Sequence, residues 1–295
     1  MWTNEHQPDE FGFQVLLSVH NGENYMKRCL ASLDEALVGR NWVLLYGDDE
    51  SEDESTIELA RYARALTCDK VHLYEYNKAA NVGTAKNRLI KECHNYKKDY
   101  PYILFMDVDD QMLVERPRMA HTASAQEKGF VVGDWENETL EAKESKYLKA
   151  ENVSSGLNYG PWATLFHHSF LPEDGLFFPE DELSNCGYED CLTWYHLKYI
   201  ENKIATPHLS GQPVHKYISR ENSVSRGSDM NHKRNTFWGI TRLIKEEKRN
   251  IYTNPPSAEE ISRERERYIA SRSSETDVIN SCLESAENPA NPHNP

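Results

Sequence analysis

Regular structure in this chain begins with a run of apolar residues, "FQVLLSV" from Phe13 to Val19, which reads as a strand buried on both faces. Met26, Leu30, Leu33 and Leu37 then recur at helical spacing. The alternation repeats. "WVLLY" (Trp42 to Tyr46) is a second strand, and Ser55-Thr56-Ile57-Glu58 has the S-x-x-E form of a capping box, opening a helix through Leu66. "VHLYEY" (Val71 to Tyr76) predicts a third strand, Thr84 to Asn95 a third helix, and "YILFM" (Tyr102 to Met106) a fourth strand. Strand and helix in this succession predict an α/β fold around a parallel sheet with right-handed crossovers.

The second half is less regular. A helix is predicted from Pro117 to Lys128, a strand in "FVVGDW", and a solvated excursion from Glu136 to Asn152. Aromatic and apolar density returns in "NYGPWATLFHHSFL" and in "CGYEDCLTWYHLKYI", which opens a helix near Glu189. Ser, Asn, Pro and Glu dominate the C-terminus, which predicts a disordered tail. The expected organisation is an N-terminal extension (1–11), one main domain (12–230), a helical extension (231–270) and the tail (271–295).

Charge narrows the function. With 295 residues and a formal net charge of -15, the chain has no overall electropositive surface for phosphate backbones or anionic lipid. A local basic patch is still available at Lys233, Arg234, Arg242, Lys245, Lys248 and Arg249, with a solvated helix face as the simpler account. No apolar run is long enough to span a bilayer, and "MWTNEHQPDE" has neither the basic nor the apolar region of a signal peptide, so a soluble, cytoplasmic protein is expected. Six scattered cysteines without a C-x-x-C pair predict reduced thiols, not a disulfide framework or zinc ribbon.

Ligands of open α/β sheets sit outside the carboxyl ends of the strands. Four such ends here are polar. "MDVDD" places Asp107 and Asp109 on one side of an extended segment with Val108 facing the core. Two like charges brought together suit Mg²⁺ or Mn²⁺ held with substrate phosphates, or else form a solvated loop that caps the next helix. Asp48 and Asp49, in "YGDDESEDES", can accept hydrogen bonds from ribose hydroxyls or a uracil N–H, or form an acidic turn before Ser55. Asn81, Gly83 and Thr84 precede a helix carrying Lys86, Asn87 and Arg88, offering N–H donors to a diphosphate or an ordinary turn with a basic face. His20-Asn21-Gly22 closes the first strand.

Together these segments resemble the family-2 glycosyltransferases of the GT-A fold. "LLSVHNGENYMKRCLASL" is similar to the family's opening strand and helix, "GDDESEDES" to its D-D-x-S-x-D turn, and "ILFMDVDD" to its D-x-D strand. "NVGTAKNRLI" resembles its N-x-G-x-x-x-x-R-N segment, with Lys86 where arginine is usual; "YGPWATLFHHSFL" and "GYEDCLTWYHL" resemble its acceptor-side segment and E-D motif. The likeness covers roughly Phe13 to Arg226. It implies a GT-A architecture: a Rossmann-like nucleotide-binding half on a parallel-centred mixed sheet, plus an acceptor-side half. It also implies an inverting, Mn²⁺- or Mg²⁺-dependent transferase that uses a nucleotide-sugar donor, first of all a UDP-sugar, and an acceptor hydroxyl on a glycan or other saccharide.

Residue by residue, the resemblance implies that Asp48 and Asp49 hold base and ribose, and that His20, Asn21, Asn81, Gly83, Lys86, Asn87, Asp107 and Val108 line the donor site. Asp109 and Asp107 would hold the ion, with His215 a further ligand and Arg220 a diphosphate contact on a lid. Asp190 would be the general base, with Glu189 the competing candidate and an acceptor contact. Trp162 and Trp194 can stack on a sugar ring or pack in the core, and Trp162 is the one placed at the acceptor. His167 and His168 show no ligand spacing and read as structural. Other readings are a nucleotidyltransferase, although "SVHNGENY" lacks the expected Gly-rich basic loop; a transferase glycosylating hydroxymethylated nucleic-acid bases; and a non-catalytic nucleotide-sugar-binding module.

Overall fold

A computed structural model describes residues 11–125, 130–139, 144–149, 160–180, 183, 188–201, 203, 208–219 and 230–287. Strands β1 (Gly12–Val19), β2 (Asn41–Asp49), β3 (Lys70–Tyr76) and β4 (Tyr102–Asp107) alternate with helices α1 (Glu23–Leu37), α2 (Ser55–Ala63) and α3 (Val82–Cys93). All four pair in parallel, in the order β3-β2-β1-β4. The chain winds outward from β1 to β3 and then crosses back to lay β4 on the other side of β1. That reversal opens a crevice between the ends of β1 and β4, where ligands of such sheets bind.

Past β4 the sheet becomes mixed. Strands β5 (Gln111–Met112), β6 (Phe130–Thr139), β7 (Glu144–Leu148), β8 (Thr164–His167) and β9 (His208–Ser219) complete it, with β8 antiparallel to β4 and to β6, and β9 parallel to β6 and antiparallel to β5. Helices α4 (Glu115–Ala125), α5 (Glu189–Tyr199), α6 (Met230–Glu246) and α7 (Ala258–Glu287) complete the α-helices among the described residues. This is the parallel-centred mixed sheet of the GT-A expectation.

The core lies in two layers, sorted by strand parity. Phe13, Val15 and Leu17 of β1 pack with Met26, Leu30 and Leu33 of α1 and Met119 and Ala120 of α4. Leu16 faces the other way, with Leu89 and Ile90 of α3, Leu192 and Trp194 of α5, and Phe237 and Ile240 of α6. Each of these fully buried large side chains contributes about 1.5–3 kcal/mol relative to exposure.

Three local expectations are corrected. Ser55 does not cap α2: Glu54 holds the cap position without a side-chain bond, Ser55 is the first helical residue, and Glu58 pairs with Arg61. The Ser55 hydroxyl is recruited elsewhere, accepting from the Gly22 N–H at 2.7 Å while Asp53 accepts from the Ser55 N–H at 3.0 Å. β2 runs on through Asp48 and Asp49, because β3 pairs with it up to Asp49↔Tyr76, so these residues are strand and not turn. The stretch expected to be a solvated excursion contains a β-ladder: β6 continues to Thr139, and β7 returns along it with Trp135 opposite Leu148. Helix α7 continues to Glu287, through part of the stretch whose composition suggests disorder.

Candidate functional site

Parity carries from β4 into the site. Ile103 and Phe105 face α3 and α5, and Asp107 continues that set beyond them. Leu104 and Met106 face α1 and α4, and Val108 continues theirs. Val108 packs so closely on Gly22 that a Cβ there would come within 2.8 Å of its methyl group, which is why the turn after β1 takes glycine. Asp110 is wholly buried, accepting from the Ile218 N–H at 2.8 Å and from His215 Nε2 at 2.9 Å, and so fixes the strand end to β9. Arg28 donates to the Asp109 carbonyl at 2.8 Å. Asp109 itself is half-buried.

The α3–α5 face supplies the counter-charge. Lys86 Nζ donates to Glu189 Oε1 at 3.1 Å, with side-chain exposures of only 8% and 9%. Burial raises the Asp107 carboxyl above the ordinary carboxylate range; the Lys86 ammonium opposes this and Asp109 reinforces it. Asp190 follows Glu189 in the first turn of α5, and its Oδ1 accepts from the Cys191 N–H at 2.7 Å. Burial pushes the Asp190 carboxyl up to about 7, the neighbouring Glu189 adds to the rise, and Lys86 opposes it. The resulting cluster joins Asp107, Lys86, Glu189 and Asp190, with Asp109 at its edge. Glu189 is committed to Lys86, which leaves Asp190 as the carboxyl with acid–base capacity near neutrality.

At the end of β2 the two aspartates diverge, since neighbouring strand residues face opposite sides. Asp49 turns to α3, accepting from the Ala79 N–H at 2.7 Å and pairing with Arg88 at 3.2 Å. Asp48 is 7% exposed; one oxygen accepts from the Ser51 N–H at 3.3 Å, and the other is buried without a protein donor. The β1 loop locks onto the β2 loop beside them. The Asn21 N–H donates to Ser51 Oγ at 3.0 Å, Asn21 Oδ1 accepts from the Glu52 N–H at 2.8 Å, and His20 Nδ1 lies 2.9 Å from the Asp49 carbonyl, which makes it the donor.

At the start of α3, Asn81 is the N-cap, its Oδ1 accepting from the Thr84 N–H at 2.9 Å, while Gly83 is buried in the first turn. Asn87 is fully buried. Its amide donates to the Phe178 carbonyl at 2.7 Å and Glu180 at 3.0 Å, and its oxygen accepts from the N–H groups of Phe177 and Phe178 at 3.1 and 2.8 Å. Its hydrogen-bonding capacity is thus spent on positioning the 177–180 segment beneath Lys86.

The segment from Gly160 to His167 is organised by a residue that the sequence reading overlooked. Arg116 is wholly buried and donates to the Pro161 carbonyl at 3.1 Å and the Thr164 carbonyl at 2.9 Å, close enough to Asp107 and Asp110 to feel both charges. Its signal was present: Arg116 occupies the same helical stripe as Met119, Ala120 and Ala123, where a charge needs partners. Trp162 lies between the Arg116-bound carbonyls, stacked on His215 at 4.9 Å and Tyr217 at 5.2 Å. Trp194 is instead fully buried core, packed edge-on against Phe130.

Among the described residues, no three His, Cys, Asp or Glu side chains converge on one point, so Asp107, Asp109 and His215 do not form a closed cage. Two carboxylates completed by substrate phosphates match what Mg²⁺ and Mn²⁺ require. His215 is fully buried, and burial holds its pKa well below the usual range; with Nε2 on Asp110, its bare Nδ1 has no protein partner, the tautomer a metal-ligating imidazole needs. The donor chemistry fits. Arg220 lies outside the described residues. In the basic stretch, Arg242 is paired with Glu264, and Arg249 with Glu260 at 3.0 Å. Among the described residues, no helix is long and apolar enough to cross a membrane.

Comparison with known proteins agrees with this arrangement. The family model described as Glycosyl transferase family 2 matches residues 14–175, more than half of the chain. Among solved structures, TarS 1-349 from S. aureus in complex with UDP-GlcNAc superposes with a TM-score of 0.59 at 16% identity, over 80% of this chain and 68% of that one. Against a longer TarS structure the match spans 40% of that chain. The mannosyltransferase PcManGT from Pyrobaculum calidifontis, in complex with GDP-Man and Mn²⁺, superposes with a TM-score of 0.52 at 12% identity, over 94% of this chain and 80% of that one.

Proposed function

Because the chain belongs to glycosyl transferase family 2, we propose that it transfers a sugar, with inversion, from a nucleoside-diphosphate donor to an acceptor hydroxyl. A UDP-sugar is the first donor to test, since the TarS structure holds UDP-GlcNAc; a saccharide is the acceptor class we favour. The observation that carries the reading is the Asp190 carboxyl, held near pKa 7 at the start of α5 beside the Lys86–Glu189 pair and Asp107.

Each residue then has a task. Asp48 offers its unpartnered buried oxygen to a ribose hydroxyl or base N–H. Asp49 shapes the same pocket through its bonds to Arg88 and Ala79. Asp107 and Asp109, with His215 as a further donor, would hold Mn²⁺ or Mg²⁺. When bound, such an ion supplies Lewis-acid stabilisation to the departing diphosphate. Asp190 accepts the acceptor hydroxyl's proton as its oxygen attacks the anomeric carbon, and the bond to the diphosphate oxygen breaks on the opposite face. A positioned base of this kind contributes roughly 10²–10⁴-fold. Lys86 holds Glu189 in place through their buried ion pair and offsets the carboxylates around it. Trp162 gives the acceptor a stacking surface steadied by Arg116.

The test is a panel of UDP-, GDP- and dTDP-sugars assayed for Mn²⁺-stimulated release of nucleoside diphosphate. Release from one donor, lost in Asp109→Asn, is expected. No release from any donor, together with calorimetry detecting neither Mn²⁺ nor nucleotide, would overturn the proposal.

A further inference from the structure

A cavity of about 180 Å³ lies between residues 170–177, the C-terminal half of α5 and residues 250–253. At ~30 Å³ per water it has room for about six waters, the scale of one sugar ring. His196, on its wall, stands roughly 10 Å along α5 from Glu189, at 1.5 Å per residue. Of its lining residues, Phe177 also meets the site described above, through the bond from its N–H to Asn87.

Its lining has two characters. Phe170, Leu176, Phe177 and Leu197 make apolar walls. The polar side is led by His196, which is 2% exposed: Nε2 lies 3.2 Å from Glu201, while Nδ1 is buried without a protein partner. Burial holds this imidazole below its ordinary pKa, so Nε2–H donates to Glu201 and Nδ1 is left as a bare acceptor. Asn250 spends its oxygen on the N–H groups of Tyr252 and Thr253, at 2.9 and 3.0 Å, which leaves its NH₂ as a donor. Asp174 accepts from the Leu176 N–H at 2.9 Å with one oxygen only. The Glu201 charge is offset by Lys203 at 2.6 Å.

From this combination we propose that the cavity binds one pyranose unit of a saccharide. Apolar walls suit the C–H face of the ring. Donors and acceptors mixed around the rim suit hydroxyls, which both give and take hydrogen bonds. An anion would meet Asp174 and Glu201. A small organic cation would find Glu201 already paired and an amide NH₂ facing it.

The proposal is independent of the transfer reaction, and its pyranoside readout uses neither nucleotide nor metal. Saturation-transfer NMR on the full chain, with the methyl pyranosides of glucose, galactose, mannose and N-acetylglucosamine, is expected to detect at least one at a Kd on the order of 1 mM. His196→Phe, which keeps the ring but removes the acceptor, and Leu176→Trp, which fills the space, are each expected to weaken that binding about tenfold. Both should leave Mn²⁺–UDP binding unchanged. If Leu176→Trp unfolds the protein, Thr253→Trp at the exposed rim replaces it. Transfer to none of the glycosides, transfer that survives the substitutions, or transfer to propylammonium in their place would each overturn the proposal.

Discussion

At the residue scale, the distinction that matters is between Glu189 and Asp190. They are adjacent and both acidic, yet Lys86 neutralises the first and burial raises the second to about 7. If Asp190 is the base, kcat/KM rises with pH through about 7 as the carboxyl ionises, and Asp190→Asn abolishes turnover while retaining donor affinity. A pH–rate profile with isothermal calorimetry checks both; full activity in the variant removes Asp190 from the mechanism. The same shift has a stability sign. A carboxyl whose folded pKa lies above its unfolded value of about 3.9 favours the protonated native state, so its contribution is present at low pH and is lost as pH rises through 7. Asp190→Asn should therefore raise stability at pH 8, on the order of 2 kcal/mol, and change it little at pH 4. Denaturant melts at the two pH values measure this.

At the element scale, α3 holds the site through a cap and a buried charge. Asn81→Ala removes the N-cap and should cost about 1 kcal/mol with a modest effect on activity. Lys86→Met strands Glu189 and crowds it against Asp107, and should cost about 3–5 kcal/mol. Pairing that change with Glu189→Gln should recover much of the stability without restoring turnover; urea titrations of the single and double variants read the coupling. Most of α3 was legible from Thr84 onward, but its Asn81 cap, which adds Val82 and Gly83 to the helix, is seen only in the structure. The capping box at Ser55 misled because the hydroxyl bonds Gly22 across 33 residues, and no local pattern announces such a partner.

For the molecule as a whole, helix α5 depends on chain far beyond it. Tyr188, at the cap position of α5, stacks on Phe237 of α6 at 4.8 Å, and α6 is joined to α7 by Arg242 and the buried Glu264. Ending the chain before Met230 should expose Phe237's partners and yield aggregated or inactive protein, as size-exclusion chromatography and the release assay would report. Arg116→Met would take the Arg116 donor from the Thr164 carbonyl, at about 1–3 kcal/mol, while the Pro161 carbonyl keeps the Thr164 hydroxyl at 2.7 Å, and would loosen the Trp162 segment. A KM for the acceptor that rises more than the KM for the donor is the expected kinetic signature.

The sequence by itself determined the alternating α/β order, the four polar strand ends and the family, because period-2 and period-3.6 patterns and short motifs are local properties. It also placed Asp107 and Val108 on opposite sides, since alternation along a strand needs no partner. Only the tertiary structure decided which acidic groups meet. Asp48 and Asp49 part because β3 extends β2 past them, and Asn87 is consumed by the 177–180 segment. Glu189 is claimed by a lysine 103 residues away, while burial raises the Asp190 carboxyl to about 7. Those outcomes depend on burial and on charges brought together from distant parts of the chain, and both exist only once the layers have packed.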